Sequence, residues 1–282
     1  MRLLIFLLAL SSCVGVEHRA PTASASQMDS NRPIMADVEP NAIRKAYSEG
    51  LQDAIRPSLD KVSDQLVAID PSLEKVRVVT WTRRSYYTGE DGTPLYKDGD
   101  EFALYGVTWF TVVPHMKDFC NAFEGEDLVL RIAQNLGMPP CDGSGVPPQP
   151  GMPQCDDVFV ELEIEPACLL RPCPDPEIDD TSCTVLAPSY DQDGNQPPPF
   201  CNLLLAPTVG CGNPANLHQW LCQQWTASYT APELYQQYPW TALGYTYDWG
   251  SANHVGQSEF VAFGKTNVTF KAMYGVNEYC GR

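Results

Sequence analysis

Between residues 41 and 69, apolar residues recur at the spacing of one helical face. Residues four apart stack on the same side of an α-helix. Pro57 divides the pattern, and proline is tolerated in the first turn of a helix or at a kink. The sequence therefore predicts a helical hairpin or a bent helix that covers the rest of the domain. The apolar positions of the two halves are Ile43, Tyr47, Leu51 and Ile55, then Leu59, Val62, Leu66 and Ile69.

Strand patterns occupy several later parts of the chain. Residues 76–82 are rich in β-branched side chains, and residues 102–113 in aromatic and β-branched ones, with the turn pair Asp91-Gly92 between them. From Val158 to Ile164, apolar residues alternate with glutamates, which predicts a half-buried strand with an acidic outer face. Three more strands are predicted near the end of the chain, at 241–249, 258–263 and 268–274.

Helical patterns lie between these strands. Helices are predicted from Pro114 to Phe123, over 128–136, and from Pro214 through Trp225. Because strands and helices come in runs rather than in strict alternation, the pattern favours an α+β fold. We expect a mostly antiparallel sheet with the N-terminal helices packed on it. The stretches 139–156 and 187–214 are rich in Pro, Gly, Asn and Asp, so the fold is predicted to be loop-rich.

The first residues predict export. Arg2 precedes eight apolar residues and then small ones, as in a secretory signal peptide. Cleavage near Val16 makes 1–16 the signal peptide of a secreted protein. The alternative is a bacterial lipobox ending at residue 12, which leaves Cys13 lipidated in the cell envelope. Residues 17–38 are predicted as a disordered tether or pro-segment and 39–282 as one domain. No later apolar run approaches the roughly 20 residues of a membrane span.

Cysteine is the most informative residue type. The chain has 11 cysteines, and ten remain once Cys13 is set aside as part of the leader. An even number in an exported chain predicts a disulfide framework, here of up to five bridges. No C-x-x-C occurs, so zinc is not favoured. Connectivity does not follow from sequence, but three closures are plausible: Cys141–Cys155, Cys211–Cys222 and Cys120–Cys280.

The negative net charge limits the classes of partner that the chain is expected to bind. The formal net charge is −17, with 18 Lys+Arg against 35 Asp+Glu. A field of that sign repels phosphate backbones, so nucleic acid is not expected as a partner. The partners that remain are a small molecule, a sugar or an extracellular protein.

One arginine is isolated in an acidic region. Between Arg131 and Lys265 the only basic residue is Arg171, among fifteen carboxylates. Alternating prolines follow it, and the simplest partners are Asp175 and Glu177. One interpretation is that these residues brace the loop. The other is that all three bind a ligand, with the arginine fork holding a carboxylate or phosphate group.

A second candidate site is an aromatic segment. Residues 238–249 contain five aromatic side chains. One interpretation is that Tyr245, Tyr247 and Trp249 form a stacking surface for a sugar or nucleobase, and the other is that they are ordinary core positions. His254 follows, close in sequence to Asp248 and Glu259. Those three form a candidate catalytic acid/base set.

Residues 258–270 place Glu259 at a strand start, followed by a turn and another strand. This resembles the closing segment of ADP-ribosyltransferase-type domains. The resemblance implies that Glu259 orients the ribose of NAD, which would be a substrate. The chain departs from that family's pattern at Gln257, where a second glutamate stands in the family, and it has no evident Ser-Thr-Ser strand.

Two short patterns complete the candidates. Asp191, Asp193 and Asn195 have the spacing of the first calcium ligands of an EF-hand, but the later positions do not fit. A looser calcium site with Asp179 and Asp180 is one interpretation, and a solvated turn is the other. Asn267-Val268-Thr269 is a glycosylation acceptor if the host is eukaryotic.

These patterns lead to two hypotheses of function. The first is an exported, disulfide-stabilised protein that binds a ligand or partner outside the cytoplasm, with no resident cofactor or metal beyond the calcium interpretation. The alternative is an extracellular enzyme, either similar to ADP-ribosyltransferases and NAD glycohydrolases or a glycoside hydrolase that uses acidic residues.

Overall fold

The computed structural model describes residues 40–141, 155–183, 201, 211 and 216–282. The predicted signal peptide, Cys13 and the 17–38 tether lie outside these residues. The described helices are α1 Pro40–Ala54, α2 His115–Ala122, α3 Leu128–Asn135, α4 Leu217–Thr230 and α5 Val276–Tyr279. The described strands are β1 Val76–Thr82, β2 Glu101–Ala103, β3 Thr108–Val112, β4 Val158–Ile164, β5 Tyr245–Tyr247, β6 Val255–Ser258, β7 Phe260–Ala262 and β8 Asn267–Gly275.

Six of the strands form one sheet, in the order β2-β8-β4-β1-β3-β7. Every strand pair in it is antiparallel. The remaining two strands, β5 and β6, form a separate antiparallel ribbon. The predicted α+β class with a mostly antiparallel sheet is confirmed.

Both faces of the central strands are buried. Successive residues of a strand point to opposite faces, and Val78 and Val79 accordingly belong to different hydrophobic clusters. Val78 packs with Leu162 and Phe110 on one face. Val79 packs on the other face against the layer of α2, α3 and α5. The sheet is therefore the middle layer of the domain.

The N-terminal helix is shorter than predicted. Helix α1 ends at Ala54, and the only further helical segment before β1 is a single 3-10 turn, Leu59–Lys61. Leu66 and Ile69 are buried as the apolar pattern requires, but they lie outside any helix. Their backbone N–H groups donate to the carbonyls of Thr181 and Ile178, at 2.8 and 2.6 Å. These backbone groups therefore form hydrogen bonds with a distant segment instead of forming the predicted second helix.

Strand β4 also differs from the prediction. It was expected to carry an acidic outer face, yet Glu161 is only 4% exposed. Strand β4 is paired along both edges, with β1 and β8, and its second face lies under the helical layer. Arg77 lies 3.6 Å from Glu161 and 3.4 Å from Glu163. The alternation therefore marks an ion-paired inner strand rather than a solvated one.

The ten described cysteines form five disulfides. Cys120–Cys280 and Cys141–Cys155 are confirmed. The expected Cys211–Cys222 pair is wrong, because Cys211 packs against the cluster around β1 and β4 while the Cys201–Cys222 pair is at α4. Spacing along the chain could not reveal that separation. The five pairs are Cys120–Cys280, Cys141–Cys155, Cys168–Cys211, Cys173–Cys183 and Cys201–Cys222.

This many disulfides is typical of a protein that works outside the reducing cytoplasm. The chain is thus a disulfide-stabilised extracellular protein in its construction. Within the described part of the chain, none of the helices combines the length and apolar character that crossing a bilayer demands.

Candidate functional site

A cleft opens in the sheet where two neighbouring strands part. Strand β1 pairs with β4 along all seven of its residues, but with β3 only at Val78↔Val112 and Val79↔Thr111. The next residues of the two strands, 80–82 and 108–110, are not paired with each other and all line the cleft. The cleft therefore lies between two strands of the sheet rather than on the surface of the sheet.

The walls of the cleft are mainly aromatic. It encloses ≈ 800 Å³, and 12 of the 30 described residues that line it are Trp, Tyr or Phe. Trp81 comes from β1 and Trp109 from β3, while Trp240 enters from the segment before β5. Trp109 and Trp240 meet edge to face, with ring centroids 5.8 Å apart. A volume of this size is typical of sites that bury most of a small ligand.

Among the described residues that line the cleft, Glu259 is the one acidic residue, and no Lys, Arg or His occurs. It lies between β6 and β7 and is 3% exposed. Its Oε1 accepts a hydrogen bond from Trp240 Nε1 at 2.9 Å. Burial raises the pKa of the Glu259 carboxyl to about 8, against smaller lowering effects of the Trp240 hydrogen bond and the charge of Arg171. At neutral pH the group is mostly protonated, so the described walls carry little charge.

Arg171 contributes to the environment of Glu259 from within the fold. It is 0% exposed, and its guanidinium donates to the backbone carbonyls of Glu177, Val67 and Asp180, at 3.0, 3.2 and 2.9 Å. The Asp180 carboxylate is 3.7 Å away. The guanidinium also lies 5.1 Å from the Phe260 ring centroid. These contacts fit the bracing interpretation of the arginine, and it is not among the described residues that line the cleft.

Gly244 is required for this packing. It has a φ of +78°, and a Cβ there would come within 2.6 Å of Arg171 Cδ. Its carbonyl accepts the backbone N–H of Glu259 at 3.0 Å. A glycine at this position therefore lets the arginine and the glutamate share one small region of the core.

Neutral polar groups complete the lining. Thr82, Thr108, Gln224 and Ser228 contribute hydroxyl and amide groups. Trp81 Nε1 is buried and has no hydrogen-bond partner among the described residues. An unpaired buried donor costs free energy, and a ligand in the cleft could accept its hydrogen bond.

Exposed apolar side chains, most of them aromatic, lie at the mouth of the cleft. Seven large hydrophobic residues are exposed in the described structure, and four of them line this cleft. Tyr105 is 99% exposed, Tyr86 64%, Val107 41% and Tyr238 39%. Scattered exposed residues need no explanation, but a cluster at one opening does.

The structure separates Glu259 from Asp248 and His254, the other two predicted acid/base residues. Asp248 is 1% exposed and is held by Arg131, whose two Nη atoms donate to its carboxylate at 2.8 and 2.6 Å, and by Asn135 at 3.1 Å. His254 lies beside it, with Nδ1 3.2 Å from the Asp248 carbonyl oxygen. Neither residue is among the described residues that line the cleft. Glu259 alone of the three is.

The predicted aromatic residues are also divided. Tyr245 and Trp249 are buried and bonded to backbone, through Lys61 O at 2.8 Å and Met138 O at 3.0 Å. Tyr247 lies in the cleft wall and donates its hydroxyl to Asp53 at 2.8 Å. From the same segment, Tyr238, Pro239 and Trp240 line the cleft.

The remaining candidates that the structure describes are not among the residues that line the cleft. Glu177 is exposed, and a hydrogen bond shared with the Asp175 carboxyl raises its pKa. Asp191, Asp193 and Asn195 lie outside the described residues. Asp179 and Asp180 are described, but no group of three or more His, Cys, Asp or Glu placed to hold a metal ion occurs in the described part of the chain.

Sequence reasoning missed most of the cleft. Trp81 and Trp109 were assigned only to strands, and Tyr105 was not singled out. Their sequence signal is that of any aromatic strand residue. Only the parting of β1 from β3 distinguishes them.

The Glu259 carboxyl predicts a pH dependence of stability. Between its usual pKa of 4.5 and its raised value of about 8, the folded state keeps a proton that the unfolded state releases. Stability therefore falls as pH rises through this window. Glu259→Gln, which stays neutral, is expected to lose less stability there. Urea unfolding of both proteins across the window measures this, and a difference between them that does not change with pH would contradict it.

Comparison with known proteins gives no family for this chain. No protein-family model matches it, and neither a curated protein nor a solved structure does. The cleft itself is therefore the basis for a functional assignment.

Proposed function

We propose that this protein binds an uncharged small ligand in the cleft between β1 and β3, outside the cytoplasm. The observation that carries the proposal is the composition of the cleft. It is large and aromatic, and among its described lining residues only Glu259 can carry a charge. A ligand with flat apolar faces and a few polar groups matches such walls.

Three statements about the exported chain stay predictions. They are free secretion after a signal peptide, the alternative of lipid anchoring at Cys13, and a glycan at the exposed Asn267.

Glu259 has a defined part in this proposal. Among the described residues, the only side-chain hydrogen bond to Glu259 is donated by Trp240 to Oε1. The second oxygen, protonated at neutral pH, is free to donate to a ligand acceptor. Deprotonation would place an unpaired charge against the ligand in a poorly hydrated site, which is unfavourable. Binding is therefore strongest below the raised pKa.

Nile red, a neutral apolar dye, tests whether the cleft binds. Its fluorescence is expected to increase with wild-type protein, and Tyr238→Ala should weaken the dye's affinity roughly tenfold by removing a stacking face at the mouth. Leu59→Ala is the matched control, since Leu59 is 62% exposed and does not line the cleft.

The same titration over pH tests the role of Glu259. Wild-type affinity should fall as pH rises through about 8, while Glu259→Gln should show no such fall. Equal loss of binding in Leu59→Ala and Tyr238→Ala, or no binding by wild type, would refute the proposed site.

A second candidate function is an extracellular enzyme. The observation that favours it is a protonated carboxylic acid inside a cleft, the usual state of a general acid. A glycoside hydrolase needs a second carboxyl group nearby, and NAD carries a pyrophosphate that is normally bound by cations or helix N-termini. The described lining offers one carboxyl and no basic side chain. Binding is therefore the function that we place first.

The two functions are separated by one substitution. Purified protein is incubated with NAD and, separately, with nitrophenyl glycosides. Release of nicotinamide or nitrophenol by wild type, abolished in Glu259→Gln, would establish the enzyme. Retained binding without turnover supports the binding protein.

A further inference from the structure

We propose that the ligand is a neutral saccharide chain, with inner sugar rings packed against the indoles of the cleft and outer rings on the tyrosines at its mouth. This inference rests on the proposed function and names its ligand class.

The indole faces suit a sugar ring. Trp81, Trp109 and Trp240 come from three different segments and line one cleft. A pyranose has a flat face of C–H groups, and the negative face of an aromatic ring attracts weakly positive C–H hydrogens. Rings that enter from several sides can hold such a face without any charge.

The polar groups suit the hydroxyls at the edge of that ring. Thr82, Thr108, Gln224 and Ser228 are neutral hydrogen-bonding residues in the lining, and Trp81 Nε1 is a buried donor without a partner among the described residues. A purely aliphatic ligand would bury these groups unpaired, which costs free energy. A sugar can pair with them.

The nearly uncharged walls of the cleft disfavour charged ligands and are compatible with neutral sugars. A phosphorylated or carboxylated ligand needs a cation, and no basic side chain lies among the described lining residues. The Glu259 carboxyl, mostly protonated, can donate to a hydroxyl or ring oxygen. The cleft is thus complementary to a saccharide that carries no acidic group.

The exposed rim indicates more than one sugar unit. Tyr86, Tyr105 and Tyr238 lie at the mouth, exposed by 64%, 99% and 39%. Their rings add exposed aromatic surface to a cleft whose interior is also aromatic. A single monosaccharide inside the cleft would leave these tyrosines without a function, whereas the next units of a chain would stack on them.

Calorimetric titration with linear oligomers of glucose, mannose and N-acetylglucosamine, from monosaccharide to hexasaccharide, tests the inference. At least one series should bind, with affinity that rises with length. Tyr105→Ala should weaken the hexasaccharide about tenfold and leave the shortest binding oligomer unchanged. Tyr105 is almost fully exposed, so the variant should fold. Leu73→Ala, at a site 48% exposed and outside the described lining, is the control.

Each of the other possible results contradicts a specific part of the proposal. Nile red binding without binding of any oligomer overturns the saccharide class and leaves the proposed function standing. Binding that does not depend on length, or that Tyr105→Ala does not alter, overturns the outer positions. Absence of both dye and oligomer binding overturns the proposed function as well.

Discussion

Loss of the Cys120–Cys280 disulfide, by Cys120→Ala together with Cys280→Ala, is expected to lower the free energy of unfolding by about 5 kcal/mol. The bridge joins residues 160 apart in sequence, so it restricts much of the unfolded chain. It also fastens the C-terminal end to helix α2, where both cysteines are buried. Urea unfolding under non-reducing conditions measures the change.

The Cys173–Cys183 bridge supplies the matched control. Its cysteines are also fully buried, but they lie only 10 residues apart. The corresponding double alanine variant should lose about 3 kcal/mol, because closing a short loop removes less entropy from the unfolded state. Equal losses in the two variants would mean that loop length does not set the contribution of these bridges.

Replacing Asp248 by alanine is expected to lower the free energy of unfolding by about 3 to 5 kcal/mol. The carboxylate is almost fully buried and binds Arg131 through two hydrogen bonds. It also accepts from Asn135 and from the backbone N–H of Gly250 at 3.0 Å. Its removal leaves the Arg131 guanidinium, whose side chain is 18% exposed, without its main partner. Thermal and urea unfolding report the loss.

A double variant separates the ion pair from simple packing. Arg131→Met together with Asp248→Ala removes both charges, and it should recover part of the stability lost in Asp248→Ala alone. If Asp248→Ala keeps wild-type stability but abolishes turnover of a substrate, the structural role is wrong and a catalytic role for Asp248 is favoured.

Local patterns predicted the elements that local energetics control. β1 was predicted with its observed bounds, and α2 and α3 to within about two residues, because periodicity and caps act over short distances. Asp127 caps α3 by accepting the backbone N–H of Leu130 at 2.9 Å. The helix predicted after Pro57 was wrong. The apolar spacing of that segment fits a helix, but its backbone N–H groups donate to carbonyls in residues 178–181.

The candidate site could be predicted only in part. Glu259 was selected for its position at a strand start, and it lines the cleft. Asp248 and His254 were selected with it because they are near in sequence. Sequence proximity carries no information on whether a carboxylate faces a cavity or, like Asp248, a buried arginine from another helix.

The sequence by itself determined the composition of the core, the acidic charge and the cysteine content that indicates an oxidising compartment. These properties belong to residues taken singly or a few positions apart. The tertiary structure alone decided which cysteines pair, which aromatic rings face a cavity and which carboxyl is protonated at neutral pH. Those outcomes depend on burial and on contacts between distant segments, above all on the place where β1 and β3 separate.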